Sequence, residues 1–339
     1  MGSNQGDGAE TESRCAVVSG ANKGIGLEVV RQLASQGVLV VLTARDEKRG
    51  REATSKLHKL GLSNVVFHQL DVLNPVSIHS LAKFIHARFG RLDILVNNAG
   101  ATGALLDEKV LKSLNIDSKT WVSYGFLLSH EKHLRKTRTP KRSLKPITQH
   151  HMLSEKAVNQ IQGAIKYTYE KAEECLNTNY YGVKRLTEAL LPLLQLSTLG
   201  ARIVNVSSLR SELKRIPSEE IRNELGDVEA LTEEKVDAVL TRFLHDFKQN
   251  ELEVNGWTMM LPAYSISKAT LNAYTRILAN KYPNMCINCV HPGFVNTDLN
   301  CHTGTMTVEE GAAGPVKLAL LPHGGPSGCY FDQTEVADF

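Results

Sequence analysis

An α/β fold with a doubly wound parallel sheet is what this chain predicts, on two observations. Short apolar runs alternate with amphipathic stretches along most of its length, and a glycine-spaced turn, Gly20-x-x-x-Gly24-x-Gly26, follows the first run. Seven strands fit the apolar runs: Cys15–Ser19, Val38–Thr43, Val65–Leu70, Ile94–Asn97, Arg202–Val206, Cys286–Val290 and a weaker Cys329–Phe331. Helices fit the stretches between them, at Ile25–Ser35, Asp46–Lys59, Val76–Phe89, Ala172–Leu194, Tyr264–Asn280 and Val308–Leu320. Right-handed crossovers then put helices on both faces, giving a Rossmann-type sheet with its site at the carboxyl ends of the strands.

The 339 residues, 42% of them hydrophobic, are read as one domain over 13–339 with a substantial core. Residues 1–12 are polar and acidic, without the basic start and apolar stretch of a signal peptide, and are expected to be a disordered lead-in. No apolar run is long enough to span a bilayer, so a cytoplasmic protein with no membrane partner is expected. Six cysteines are scattered rather than densely paired. Cys286 and Cys289 form a C-x-x-C on a strand, where residues three apart face opposite ways, so buried thiols are expected and no metal site.

Two stretches interrupt the repeat, at about 101–170 and 209–260, and read as insertions near the site. Within the first, Ala157–Leu176 has helical character, whereas 121–151 is an atypical basic segment without a sustained period. Seven Lys or Arg fall between Lys132 and Lys145 with no acid, and removing them would take the net charge from +3 to −4. No aromatic groove or binding motif accompanies them, and His150-His151 has no Cys or carboxylate at ligand spacing, so a solvated loop is expected rather than a nucleic-acid or metal site. In the second insertion, Thr232, Glu233 and Glu234 mark a helix start, and Val236, Val239, Leu240, Phe243, Leu244 and Phe247 recur at helical spacing. One face of that helix must be buried.

Chemistry gathers at a few positions. Tyr264 and Lys268 stand four apart, on one face of a helix, where an ammonium can stabilise the anion of a phenol that ordinarily ionises near pH ~10. Ser207-Ser208 closes the run from Ala201. Around Gly20, Asn22, Lys23, Gly24, Ile25 and Gly26, missing side chains let backbone N–H groups approach a pyrophosphate at the positive helix end. After the second strand comes Ala44-Arg45, not the acid that would bond ribose hydroxyls; a guanidinium there, with Lys23, suits a 2′-phosphate and points to NADPH.

Together Ser19–Gly26, Ala201–Ser208 and Ala263-Tyr-Ser-Ile-Ser-Lys268 resemble the short-chain dehydrogenase/reductase family, from about Ala16 to Phe331. The resemblance implies a catalytic set: Ser208 holding a carbonyl oxygen, Tyr264 delivering the proton, Lys268 lowering the tyrosine pKa and holding the nicotinamide ribose, and Asn179 anchoring a water. It also implies that Asp71 and Val72 meet the adenine, that Asn98, Ala99 and Gly100 form the turn beside the adenosine, and that Pro292, Gly293, Val295 and Thr297 bracket the carboxamide. A further likeness to the monomeric carbonyl-reductase branch implies that the helix after Thr232 covers the surface used by tetrameric members, although an ordinary packed helix fits the periodicity equally.

Tyr169-Glu-Lys-Ala-Glu-Glu-Cys-Leu176 and the long insertion after Ser208 resemble plant menthone/neomenthol and salutaridine reductases. That likeness implies a small hydrophobic ketone or alcohol as partner: a cyclic terpenoid or alkaloid, reduced reversibly, with Phe294–Met306 and parts of both insertions forming the pocket. A broad carbonyl or aldehyde reductase, and a catalytically weak NADPH-binding protein with a blocked pocket, stay open as alternatives. A C=C reductase of the same branch would carry Glu in place of Tyr264.

Overall fold

The computed structural model describes residues 13–113 and 163–339; the expectations for 1–12, 121–151 and 157–162 lie outside the described residues. Its main sheet has eight strands in the order β10-β9-β8-β7-β4-β1-β2-β3. β1 (Cys15–Val18), β2 (Leu39–Ala44), β3 (Val65–Gln69), β4 (Ile94–Asn97), β7 (Arg202–Val206), β8 (Cys286–His291) and β9 (Tyr330–Asp332) pair in parallel, and β10 (Glu335–Ala337) turns back antiparallel on β9. Seven strands had been expected. The eighth is three polar-flanked residues reached through a tight turn at Gln333, φ 56°, too short to give an apolar pattern.

Each inner strand sends alternate residues to two cores, as a pleat must. Val17, Val41, Leu95, Ile203 and Ile287 pack under α3 (Pro75–Phe89), α5 (Tyr169–Leu176), α6 (Gly182–Leu194) and α9 (Pro262–Lys281). Val18, Val40, Leu42, Val96 and Val204 pack under α1 (Gly24–Ser35), α2 (Glu47–Lys59) and α10 (Val308–Ala319). From β1 the chain proceeds one way through β2 and β3, then jumps back to β4, β7 and β8. The reversal between β1 and β4 opens a crevice at their carboxyl ends.

The helix expected over Ala172–Leu194 is broken. α5 and α6 are separated by a π-helical turn at Asn177–Tyr181, whose one added residue leaves the apolar spacing on either side intact and so is invisible to a periodicity argument. Helical character over Ala157–Leu176 also gives way, because Ile165–Lys166 is a strand, β6, paired antiparallel with β5 (Leu105–Leu106) and followed by Thr168 capping α5. α4 (Glu108–Ser113) completes the described part of the first insertion.

In the second insertion α7 (Glu219–Gly226) is capped by Ser218 and α8 (Glu233–Gln249) by Thr232, whose hydroxyl accepts from Lys235 N at 3.3 Å. Val236, Val239, Leu240 and Phe243 are fully buried, with Leu244 and Phe247 packed beside them against α9 and α5. Asp246 accepts the Trp257 indole N–H at 2.8 Å, closing the far end of that seam. The six cysteines are free thiols; Cys286 Sγ faces the Pro322 and Gly325 carbonyls, and Cys289 Sγ faces Cys329 O.

Phe243→Ala should therefore cost about 3–5 kcal/mol, the usual loss for a truncated buried aromatic. Denaturant unfolding should give a lower midpoint with an unchanged slope, and an unshifted midpoint would mean α8 is not fastened to the core through this ring.

Candidate active site

Ser19, at the end of β1, sets the floor of the crevice. Its hydroxyl accepts from Asn98 N at 2.9 Å and Ala99 N at 3.1 Å, while Asn98 Nδ2 donates to the carbonyls of Ser19 and Gly20 at 3.0 and 3.1 Å. The two turns are held so close that a Cβ on Gly20, where φ is +63°, would lie 2.8 Å from Ala99 Cα, and one on Gly26 would collide with the Asn98 carboxamide. Only glycine fits at either position.

α1 then opens with no side-chain cap and no acid in its first turn. Gly24, Ile25 and Gly26 thus present uncapped backbone donors to a cleft of about 820 Å³, which is what a pyrophosphate requires. The cleft is lined by all six expected residues from Gly20 to Gly26, by Arg45 after β2, Asp71 and Val72 after β3, Asn98 to Gly100 after β4, and Pro292 and Thr297 after β8. Gly293 and Val295 are not part of its wall: Gly293 (φ +91°) lies against the Met306 thioether, and Val295, 3% exposed, bridges to Met306. Their role is to fold the segment after β8 back on itself.

Tyr264 and Lys268 close the other end, on the first turns of α9. Leu261 precedes them in the left-handed region, φ 49°, with its N–H donated to the Tyr167 hydroxyl at 3.1 Å. Lys268 Nζ lies 5.8 Å from the centre of the Tyr264 ring and donates to Val206 O at 2.7 Å. Ser208 hydrogen-bonds the Tyr264 phenol, and its hydroxyl also accepts from Arg210 N at 3.2 Å. Ser207, not Ser208, is in the cleft wall, yet its hydroxyl is spent on Asn272 Oδ1 at 2.6 Å, which leaves Ser208 to the phenol.

Burial decides the charge states here. It pushes the Tyr264 phenol up to about 12, against the smaller downward pulls of the Ser208 hydrogen bond and the Arg210 guanidinium. It pushes the Lys268 ammonium down to about 8. Tyr264 is half-buried at the cleft and Lys268 is buried, its ammonium 5.8 Å from the ring centre; burial raises the phenol more than Ser208 and Arg210 lower it.

Asn179 stands at the centre of the π turn, and its carboxamide is taken up by the protein itself, accepting from Ala101 N at 2.8 Å and donating to Ala101 O at 2.9 Å. At the opposite end, Lys23 is ion-paired with Asp298, which His302 Nε2 also meets at 2.9 Å. The residue types missed by sequence reasoning are of two kinds. Arg49, one turn beyond Arg45, joins it in the cleft wall with its partner Asp46, and the spacing of four was a usable signal. Leu105, Leu106, Lys171, Glu174 and Thr178 reach the wall through β5, α5 and the π turn, which no pattern announced.

Comparison with known proteins bears on this geometry. A family profile described as short chain dehydrogenase matches residues 14–124. The chain is 51% identical over 330 residues to short-chain dehydrogenase/reductase 1 of Saponaria officinalis, covering 97% of each chain. It is 45% identical over 336 residues to (+)-neomenthol dehydrogenase of Arabidopsis thaliana, covering 98% of this chain and 100% of the relative. Among solved structures, salutaridine reductase from Papaver somniferum superposes with a TM-score of 0.78 at 46% identity, over 94% of this chain and 99% of that one.

Proposed function

The chain belongs to the short-chain dehydrogenase/reductase family, oxidoreductases of the CH–OH/C=O couple that use a nicotinamide cofactor, and we propose that it uses NADPH to reduce a ketone on a hydrophobic cyclic substrate, of terpenoid or alkaloid type, to the secondary alcohol. The observation that carries this reading is that Tyr264, hydrogen-bonded by Ser208, and Lys268 border the same cleft as the uncapped start of α1.

Ketone reduction needs a hydride at carbon and a proton at oxygen, with alkoxide charge stabilised between the two. NADPH, when bound, supplies the hydride. Ser208 donates to the carbonyl oxygen and orients it. Tyr264, protonated at every pH below about 12, is in the form a proton donor must have. As charge gathers on the oxygen, the phenol proton passes to it, and the remaining phenolate is stabilised by the Lys268 ammonium and the Arg210 guanidinium. Arg45 and Arg49 are the cations suited to a 2′-phosphate; Lys23 would have to exchange Asp298 for it.

The activities named for the relatives, (+)-neomenthol dehydrogenase and salutaridine reductase, support a cyclic substrate. So do the apolar side chains Leu105, Leu106, Leu299 and Val308 in the cleft wall. A single domain, a monomer and a cytoplasmic setting are part of the same proposal. The apolar face of α8 is covered within its own chain, and among the described residues no helix is long and apolar enough to cross a membrane.

NADPH oxidation, followed at the nicotinamide absorbance against menthone, related cyclic ketones and a morphinan dienone, tests the proposal. Tyr264→Phe should lower turnover by about 10²-fold or more while leaving NADPH affinity nearly unchanged; retained turnover would remove the proton-donor role. Arg45→Asp should weaken NADPH by about tenfold or more and NADH much less, since one charge-assisted contact is lost. Equal loss for both cofactors would mean that Arg45 does not read the phosphate.

The pH dependence has a definite sign. Lys268 is charged below about 8 and neutral above, whereas Tyr264 keeps its proton throughout that range. Reduction should therefore be level below that pH and fall as pH rises through it. A rate that climbs through the same window would contradict the need for the ammonium.

A further inference from the structure

Asn179, Cys175 one turn before it on α5, and Ser267 immediately before Lys268 on α9 are all fully buried. Their protons can be assigned one by one. Ala101 N–H can only donate, so the carboxamide oxygen of Asn179 must face it, at 2.8 Å. Nδ2 then faces three acceptors: Ala101 O and Ser267 Oγ, each at 2.9 Å, and Cys175 Sγ at 3.2 Å. Ser267 gives its own proton to Tyr264 O at 2.7 Å, and Cys175 gives its thiol proton to Ala101 O at 3.2 Å. Burial pushes that thiol up to about 12, so it stays protonated and able to donate.

The consequence is a short chain of bonds from the backbone of Ala101, just past the turn that borders the cleft, to the backbone of Tyr264. The gap it spans is narrow. A Cβ placed on Gly100 would lie 3.4 Å from Asn179 Oδ1 and 3.9 Å from Lys268 Nζ. The π turn supplies the extra residue that lets Asn179 enter between the end of β4 and α9.

We propose that Ser267 and Cys175 are positioning residues. Through the Asn179 carboxamide they fix the separation between the Asn98–Ala101 turn and the turn of α9 that carries Tyr264 and Lys268. Neither side chain is among those that line the cleft, so their action is through Asn179 and the two backbones it joins. This inference rests on the reading of the cleft as the site of a nicotinamide-dependent reduction.

The test uses the full-length protein and reads four quantities: melting temperature, NADPH affinity by fluorescence, kcat with KM, and the primary isotope effect with NADPH deuterated at the transferred position. Ser267→Ala and Cys175→Ala should each lower kcat, by about tenfold to a hundredfold for Ser267→Ala, as a small misplacement of reacting groups does. NADPH affinity should hold within about twofold, a change small on the scale of one charge-assisted bond. The isotope effect should rise as the chemical step becomes slower. Cys175→Ser, which keeps a donor and an acceptor in place, should restore most of the loss seen in Cys175→Ala.

Unimpaired kcat in both alanine variants would overturn the proposal. So would a loss that tracks the melting temperature with no change in isotope effect, and so would failure of Cys175→Ser to exceed Cys175→Ala. If Ser267→Ala does not fold, the two Cys175 variants decide the question. Tyr264→Phe, run alongside, separates the two levels: if it turns over normally, the reading of the site fails; if it is inactive while both alanine variants are normal, only the positioning role fails.

Discussion

Everything in this site is measured from the contact between two turns, Ser19-Gly20 after β1 and Asn98-Ala99 after β4. The sheet brings the two strand ends side by side, but parallel pairing alone would leave the chain free to diverge beyond them. One hydroxyl and one carboxamide stop that divergence, as Ser19 Oγ accepts two backbone N–H groups and Asn98 Nδ2 donates to two carbonyls. The absent side chains of Gly20 and Gly26 permit it. α1 is thereby aimed into the crevice, and the strand ends carrying Arg45, Asp71 and Ser207 take their places around the same opening.

Below that floor lies a polar chain that the apolar strand pattern conceals. Asn97 Nδ2 donates to Asn205 Oδ1 at 2.8 Å and Thr187 Oγ1 at 3.2 Å, and Asn205 Nδ2 donates to Thr275 Oγ1 at 2.9 Å. It links β4, α6, β7 and α9 across the core. Asn97 Oδ1 itself meets no partner, but the paired groups favour one arrangement, because a slip of a helix would leave more of them unpaired at considerable cost. The helix bearing Tyr264 is therefore registered to the sheet from beneath as well as from the Asn179 side.

How much of this could be read from the chain depends on what kind of signal each feature leaves. All seven expected strands are found within one residue of their places, since a strand buried on both faces is a continuous apolar run. Tyr264 and Lys268 share a helix face as their spacing suggested, and Ser208 meets the phenol as the family resemblance implied. The π turn left no trace because one added residue does not disturb the apolar spacing on either side. β5 and β6 were missed because two residues cannot show a period. The ionisation of Tyr264 is only half legible: a sequence displays the neighbouring charge of Lys268, but the burial that raises the phenol is a property of the folded chain.

The pairing of Lys23 with Asp298, and of Arg49 with Asp46, gives the phosphate end of the cleft a particular character. These pairs are more than half exposed, so each is individually weak. An arriving polyanion there meets few bare charges; it trades one carboxylate partner for a phosphate oxygen. Such an exchange adds little net attraction for anions in general and rewards only those whose geometry outdoes the acid already present. Any anion seeking Lys23 or Arg49 therefore competes with a carboxylate that the wall itself supplies.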